Sequence, residues 1–433
     1  MISYNTTMNI EIKHGRVIDP ANGVDALQDV YIVDGRIAAL GQPPAGFHAE
    51  QVIDANGLVV APGLVDLSAR LREPGYEYKA TLESELDAAI AGGVTSLLCP
   101  PDTDPVLDEP GLVEMLVHRA RSLNQSHVYP LGALTMGLKG KELTEMAELT
   151  EAGCVGFAQA EEPVQDTSVL QRAMQYASTF GYTVWLRPQD PYLGRGGVAH
   201  AGPLASRLGL SGVPVSSETV ALHTVFELMR STGARVHICR ISSAAGIALV
   251  RAARAEGLPV SCDVSAHHIH MTDNDIGFFD PNARLTPPLR SQRDRDAIRT
   301  ALLDGTVDAI CSDHTPLDDE EKLLPFGEAS PGATGLELLL SLAIKWVEDA
   351  AAGASLNAAI ARITCDAARV AGIDAGHLSI GSVADLCVFD PAARWRVEPA
   401  ALRSQGKHTP FLGYELPAQV RHTIVSGRIA FSR

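Results

Sequence analysis

The chain has 433 residues, which is enough for one large barrel together with an accessory domain. Hydrophobic residues make up 46% of it and charged residues 20%, and the formal net charge is −17. A composition this acidic, with no run of lysines or arginines, lacks the basic footprint that nucleic acid or an anionic membrane requires, so neither is expected as a partner.

The sequence shows no targeting or membrane-spanning segment. The N-terminus through Asn9 is polar and lacks the apolar stretch of a signal peptide. The most apolar candidate helix, 336–347, is interrupted by Glu337 and Lys345, which is typical of a helix packed on a barrel. Seven cysteines are spread singly, without a C-x-x-C pair, as expected for buried free thiols in a reducing compartment. A cytoplasmic location is therefore expected.

The two ends of the chain carry similar strand patterns. Asp34-Gly35 separates two apolar runs, and an Asp-Gly step in that position favours a tight hairpin turn. Residues 422–429 repeat the same Val-x-Gly-Arg-Ile pattern near the other end. We therefore predict that residues 1–60 and 375–433 fold together into one small β-sandwich domain.

The middle of the chain, residues 61–374, alternates between strand-like and helix-like stretches, which is typical of parallel α/β architecture. The candidate strands are 64–70, 94–99, 127–133, 155–159, 183–187, 235–240, 259–264 and 308–313. The helical stretches include 167–179, 218–232, 244–255 and a closing helix near 335–350. This alternation predicts a (β/α)₈ TIM barrel, in which the chemistry lies at the C-terminal ends of the strands.

A series of short motifs runs through the chain in order. They are APGLVD at 61–66, LREPG at 71–75, AGGVT at 91–95, AHH at 266–268, PPLR at 287–290, DAI-x-x-DH at 308–314, GLE at 335–337 and IGSVADL at 380–386. Together they cover nearly the whole chain and resemble the dihydroorotases of the cyclic amidohydrolase superfamily. The resemblance implies a barrel of the amidohydrolase type and an ancestry in the hydrolysis of cyclic amides such as dihydroorotate.

The resemblance also locates the positions through which the family binds zinc. In the family, His-x-His ends the first strand, a bridging carboxylate the fourth, single histidines the fifth and sixth, and an aspartate the eighth. The corresponding residues of this chain are Ser68, Arg70, Gln159, Arg187, Arg240 and Asp313. A catalytic zinc needs about three protein ligands with lone pairs, whereas arginine stays protonated and has none to offer. We therefore expect no zinc and no other cofactor, with Asp313 a vestige tied to the arginines.

The substrate-binding set of the family is only partly retained. The expected pocket remnants are Arg72, Arg290, His267 and His314, of which the resemblance makes Arg72 the partner of the substrate carboxylate. Asp102 and Thr286 stand where the family has asparagines, and Leu317 stands where it has a histidine. An acidic side chain such as that of Asp102 would weaken the binding of a carboxylate substrate.

The three arginines that follow strands 1, 5 and 6 admit two interpretations. They could neutralise Asp313 and neighbouring acids in an ion-pair network, or they could form an anion pocket for a phosphate or carboxylate metabolite. The network is favoured, because arginine clusters commonly serve that purpose. The acidic pair Glu161 and Glu162 could replace the bridging carboxylate, but both are expected to be solvated loop charges.

Two further motifs have both a functional and a structural interpretation. His268-x-His270 could bind a metal. In the structural interpretation, which is favoured, His267 and His268 are a family feature of the barrel and His270 is a surface residue. The run Gly194-Arg195-Gly196-Gly197 could suggest a phosphate loop. It lacks a following Lys-Ser/Thr pair, so it is expected to be a turn.

The resemblance suggests a specific role. Some bacteria pair aspartate transcarbamoylase with an inactive dihydroorotase-like subunit, and we expect this chain to be such a scaffold in pyrimidine biosynthesis, forming homo- or hetero-oligomers. Two alternatives stay open. The chain could be an active dihydroorotase with an atypical metal site, or a module that binds an anionic metabolite through its arginines.

Overall fold

The computed structural model describes residues 8–350 and 353–433. The expectation of a polar N-terminus without a signal peptide concerns residues that lie mostly outside this range. Within the described residues, no helix has both the length and the apolar character needed to cross a membrane. The seven cysteines are free thiols, as predicted, and five of them are buried.

The predicted barrel is confirmed in the described part of the chain. Its eight strands are Leu64–Asp66, Val94–Cys99, His127–Pro130 continued by Gly132–Ala133, Phe157–Ala158, Thr183–Leu186, Arg235–Ile238, Val260–Ser265 and Ala309–Cys311. Neighbouring strands pair in parallel in this order. A bridge between Ala69 and His314 joins the last strand to the first and closes the barrel. Most strands end earlier than predicted, and left-handed residues follow three of them, at Ala160, Arg240 and Asp313.

Helices cover the outside of the barrel. The longer ones are Leu82–Ala91, Pro110–Leu123, Met146–Ala152, Thr167–Phe180, Val215–Thr232, Ala244–Ala255, Gln292–Asp304, Leu339–Asp349, Leu356–Arg362 and Cys365–Ala371, and the shorter ones are Pro203–Leu208, Ala266–His270 and Asp319–Lys322. Thr167–Phe180 shows why they pack there, since its buried residues Leu170, Ala173, Met174 and Ala177 recur at helical spacing on one face. Ser243 caps the helix that begins at Ala244, and the predicted bounds 244–255 are confirmed.

Strands from both chain ends form two further sheets, which pack face to face as a β-sandwich. One sheet contains Arg36–Leu40, Val30–Val33, Ile10–Lys13 and Gln51–Asp54, in that order. The other contains Arg428–Ser432, Glu415–Val425, Leu386–Arg396, Val59–Pro62, Arg16–Asp19 and Val24–Leu27. Side chains from both sheets, among them Ile12, Ile32, Leu386 and Ile424, share one apolar core. The predicted hairpin at Asp34-Gly35 is confirmed by the pairing of Val33 with Arg36.

The sandwich and the barrel are joined through Gly63. Val59–Pro62 belongs to the sandwich and leads directly into the first barrel strand, so this strand crosses the predicted boundary after residue 60. A Cβ on Gly63 would lie 2.0 Å from Oγ1 of Thr95, a separation that real atoms do not adopt. Glycine is therefore required where the chain passes from one domain to the other.

Candidate functional site

The ends of four barrel strands bring three arginines to one carboxylate. Arg70, Arg187 and Arg240 follow the first, fifth and sixth strands, and their side chains are at most 8% exposed. Glu161 follows the fourth strand. Its Oε1 accepts hydrogen bonds from Nη2 of Arg70 at 2.9 Å and from Nη2 of Arg240 at 2.5 Å. Its Oε2 forms an ion pair with Nε of Arg187. We call these four residues together with Asp102 and Asp313 the ion cluster.

The prediction that Glu161 is a solvated loop charge is wrong. The backbone takes a left-handed conformation at Ala160, with φ of 49°, immediately before Glu161. The Glu161 carboxylate lies among the arginines, whereas the side chain of Glu162 is exposed as expected. The available signal was electrostatic, because three buried arginines need acidic partners and Asp313 alone is too few.

Two other acids complete the ion cluster. Asp313 accepts a hydrogen bond from Nη1 of Arg240 at 2.9 Å and lies 3.8 Å from Nη1 of Arg70. Asp102 accepts from Nε of Arg70 at 2.7 Å. Three guanidinium groups thus face three carboxylates, which is the ion-pair network of the first interpretation. The anion that the second interpretation would bring from outside is supplied by the chain itself.

The pKa values follow from burial and from these contacts. Burial alone would raise the pKa of Glu161, but Arg187, Arg240 and Arg70 together hold it well below its usual range. At Asp313 burial prevails over Arg240 and Arg70, and the pKa of that carboxyl is raised. Burial acts against the charge of Arg240, yet Asp313 and Glu161 raise its pKa above the ordinary value. Of Glu161 and Asp313, Glu161 is therefore the acid that stays ionised more firmly.

The remaining family positions carry neutral side chains with other partners. Gln159, at the position where the family has the bridging carboxylate, is buried, with 3% of its surface exposed. Its Nε2 donates to the carbonyl of Leu138 at 2.8 Å, and its Oε1 accepts from Oγ1 of Thr135 at 3.0 Å. Ser68 is buried at 8% exposure, and its carbonyl accepts from the His314 N–H at 3.1 Å. Both residues thus serve the packing of the barrel mouth.

The donor set at these positions does not fit a zinc ion. Of the six positions, Asp313 alone offers a carboxylate, and Arg240 occupies its Oδ1. The guanidinium groups of Arg70, Arg187 and Arg240 have no lone pair and would repel a cation. Within residues 8–350 and 353–433, no group of three or more histidine, cysteine, aspartate or glutamate side chains is placed to share a metal ion.

The two retained arginines of the substrate set form no ion pair with the carboxylates of the ion cluster. Arg72 is half-buried, donates from Nε to the carbonyl of Pro316 at 2.9 Å, and lies over the Tyr76 ring at 6.0 Å. Arg290 is 4% exposed and donates to Oγ of Ser242 at 3.1 Å and to the carbonyl of Val213 at 2.7 Å. Neither forms an ion pair with a residue in the described part of the chain.

The prediction that His314 and His267 are pocket remnants is wrong, because both are core residues with no exposed surface. Nε2 of His314 lies 2.6 Å from Oε2 of Glu85, and its Nδ1 accepts from the Gly335 N–H at 3.1 Å. The His267 ring stacks on Phe411 with 5.7 Å between centroids. Burial lowers the pKa of His267 to about 3, so the ring is neutral.

The other histidines of this run face separate partners. The prediction that His270 is a surface residue is wrong, since its side chain is 4% exposed and its Nε2 lies 2.9 Å from the carbonyl of Leu342. His268 lies 3.2 Å from the carbonyl of Pro288 through Nε2. Both residues are on the short helix Ala266–His270 and not on a strand. Side chains two residues apart point the same way on a strand but not on a helix, so these two rings point in different directions.

A (β/α)₈ barrel with its polar side chains at the strand ends, combined with a β-sandwich built from both chain ends, defines a protein of the amidohydrolase class. The sequence models agree: the Dihydro-orotase-like family matches residues 57–245 and the Amidohydrolase family matches residues 216–430. The dihydroorotase-like protein of Pseudomonas aeruginosa is 44% identical over 422 residues, covering 98% of this chain and 99% of that relative. The chain therefore belongs to the dihydroorotase-like family.

Other relatives carry a different name at nearly the same identity. A dihydroorotase of Geobacter sp. (strain M21) is 41% identical over 424 residues, covering 98% of this chain and 99% of that relative. Among solved structures, the L-hydantoinase from Arthrobacter aurescens has a TM-score of 0.87 at 23% identity, covering 98% of this chain and 96% of its own, and shares the fold. Because the relatives bear both names, the choice between them depends on the side chains of the site.

Proposed function

We propose that this chain is a non-catalytic member of the dihydroorotase-like family that serves pyrimidine biosynthesis as a scaffold or stabilising subunit of aspartate transcarbamoylase. The observation that carries the proposal is the ion cluster. Glu161 and Asp313 engage Arg70, Arg187 and Arg240 at the strand ends where the family resemblance places the zinc ligands.

The chemistry of cyclic amide hydrolysis supports a loss of activity. The attacking water of such an enzyme needs a metal ion to bring its pKa down to about 7. Here the donor set repels a cation, and the carboxylate of Asp313, which the resemblance makes the proton acceptor, accepts a hydrogen bond from Arg240 at 2.9 Å. Positioning alone does not generate the nucleophile.

A barrel without catalysis is retained for what it binds. The resemblance to inactive subunits that accompany aspartate transcarbamoylase makes that enzyme the proposed partner. The composition is consistent with this, since the net charge of −17 disfavours nucleic acid and membrane, and the isolated cysteines suit the reducing cytoplasm in which pyrimidines are made.

The test is the native mass of the purified chain, alone and after co-expression with the aspartate transcarbamoylase of the same organism. We expect one discrete complex that contains both chains, with no dihydroorotate turnover above background in buffer supplemented with zinc. Two independent species would remove the scaffold role. A separate, ligand-complete dihydroorotase from the same source provides the control for the turnover assay.

A second candidate function, an active dihydroorotase with an atypical metal site, is favoured by one observation. Arg72, the residue matched to the partner of the substrate carboxylate, is half-buried at the barrel mouth and forms no ion pair with a described residue. Stoichiometric zinc together with turnover that is lost in Arg72→Ala would establish this candidate. Turnover without bound zinc, or zinc without turnover, would reject it.

A further inference from the structure

Four arginines line a cavity that adjoins the ion cluster, and two of them belong to that cluster. The cavity has a volume of about 60 Å³ and lies among the segments that follow the fifth, sixth and seventh barrel strands. Arg187, Arg240, Arg284 and Arg290 line it, together with Ser217 in the first turn of the helix Val215–Thr232. A single water needs roughly 10–15 Å³ of such space, so the cavity accommodates a group of four or five heavy atoms.

The lining residues carry polar atoms that the chain leaves unsatisfied. Oγ of Ser217, Nε of Arg240 and Nε of Arg284 are buried and have no hydrogen-bond partner among the described residues. Each such atom costs about 1–3 kcal/mol if it stays without a partner, and native structures contain few of them. Three lining residues with such atoms around one small space indicate that a ligand supplies the partners.

The charge around the cavity is positive. Arg187 and Arg240 are balanced by Glu161 and Asp313, whereas Arg284 and Arg290 form no ion pair with any residue that the structure describes. Burial lowers the pKa of both Arg284 and Arg290, although arginine remains protonated.

The acids near the cavity already accept hydrogen bonds from other groups. Both oxygens of Glu218 accept from the backbone N–H and hydroxyl groups of Ser242 and Ser243 at 2.6–3.0 Å. Asp294 accepts from the Ala244 N–H at 2.9 Å and from the Ser291 hydroxyl at 2.6 Å. These two acids thus hold the starts of helices, and the guanidinium groups of Arg284 and Arg290 have no carboxylate within ion-pair distance.

The glycine run that sequence analysis interpreted as a turn forms part of the wall. Gly194 and Gly197 both line the cavity. A Cβ on Gly194 would lie 3.0 Å from Oγ of Ser217, and one on Gly197 would lie 2.5 Å from Cγ2 of Val213. The absence of side chains lets this turn pack closely against Ser217 and Val213, which also line the cavity.

We propose that this cavity binds a small oxyanion, either inorganic phosphate or a carboxylate group, through Arg284, Arg290 and Ser217. Carboxylate and phosphate oxygens match the fork of guanidinium donors and accept from a serine hydroxyl at the same time. The site adjoins the ion cluster, which contributes Arg187 and Arg240 to its wall, and the inference holds whether or not the chain is a scaffold.

The test is the melting temperature of the whole chain titrated with inorganic phosphate or with acetate, at constant ionic strength. We expect a saturable rise with one of the two anions, which identifies the source, and about tenfold weaker apparent affinity for that anion in Arg284→Gln. Arg284 suits this purpose because its one side-chain hydrogen bond, to the Leu285 carbonyl at 3.5 Å, contributes little to folding.

Two further variants separate binding from folding. Ser217→Ala removes a buried hydroxyl without a partner, so it should keep or raise the melting temperature without anion and weaken the anion-dependent rise. Arg195→Gln lies in the same loop with an exposed side chain and outside the cavity lining, so it should respond as the unaltered protein does. The proposal would be overturned if neither anion raised the melting temperature. It would also be overturned if Arg284→Gln and Ser217→Ala left the anion-dependent rise intact.

Discussion

Oε1 of Glu161 lies 2.5 Å from Nη2 of Arg240, and the two residues come from the ends of the fourth and sixth barrel strands. In the dihydroorotase family these two strand ends supply a bridging carboxylate and a histidine to a metal site. Here the same two strand ends are joined by an ion pair within the chain. Under the proposed function, Glu161, two residues further along the chain than the aligned residue Gln159, takes the place of the family's bridging ligand.

This relationship predicts a large loss of stability in Glu161→Gln. The substitution leaves three buried guanidinium groups with two carboxylates, and removing one member of a buried ion network costs about 3–5 kcal/mol because the remaining charge stays buried without a partner. Chemical denaturation of the purified variant measures the free energy of unfolding. Glu162→Gln is the matched control, since its neighbouring side chain is exposed, and it should stay within about 0.5 kcal/mol of the unaltered protein. Equal effects of the two substitutions would contradict a central role for Glu161.

A second prediction concerns the buried pair of Glu85 and His314. Glu85 lies on the first barrel helix and accepts from His314, from the Ser404 hydroxyl at 2.7 Å and from the Gln405 N–H at 3.0 Å. Glu85→Ala leaves these donors buried without an acceptor, and we expect a loss of about 3 kcal/mol in the free energy of unfolding. Glu83→Ala, an exposed position on the same helix, should change it little. A tolerant Glu85→Ala variant would show that His314 is not a structural anchor.

The strands and helices could be predicted from the sequence because their patterns are local. The apolar run Val94–Cys99 and the capped helix Ala244–Ala255 are specified by residues within each segment, and the structure places both where predicted. The family positions Arg70, Arg187 and Arg240 could be found for the same reason, since each follows a strand with a recognisable motif.

The partners of those residues could not be predicted in the same way. Glu161 reaches the arginines because the backbone turns at Ala160, which has a left-handed conformation. Such a conformation is usually signalled in a sequence by glycine, and this position has none. The His314 ring lies in the core and not in the pocket because it pairs with Glu85, 229 positions earlier in the chain. His270 is buried because it lies on a short helix where spacing alone suggested a strand. Each depends on a contact between distant segments, which a single sequence does not display.

A third prediction follows from the neutral ring of His268. Burial lowers the pKa of this ring from its ordinary 6.5 to about 4. The unfolded chain therefore binds a proton that the folded chain does not, so this contribution to stability is complete above pH 6.5 and is lost as the pH falls toward 4. His268 accounts for a loss of roughly 3 kcal/mol over that window.

The comparison with His268→Gln isolates this contribution. Asp66 and Glu337 act in the opposite direction, because burial raises the pKa of each to about 6 and they favour the folded state as the pH falls. They are common to both proteins and cancel in the difference. Urea unfolding at several values of pH between 4 and 7 should show a shallower loss in the variant. Parallel profiles would mean that the His268 ring is protonated in the folded protein.

The last prediction concerns restoration of the family's zinc ligands. A variant carrying Ser68→His, Arg70→His, Arg187→His and Arg240→His should hydrolyse dihydroorotate no faster than background. The four histidines leave Gln159 without charge at the bridging position, and they leave Asp102 and Glu161 without their cationic partners. Metal analysis and a turnover assay in the presence of zinc measure the outcome, with a ligand-complete dihydroorotase as the positive control.

Adding Gln159→Asp to the variant should increase zinc content, because a carboxylate then joins the donors, while Asp102 and Leu317 still disfavour the carboxylate substrate. Substantial turnover in the variant with four substitutions would mean that the substrate-binding residues are intact and that the arginines alone prevent catalysis.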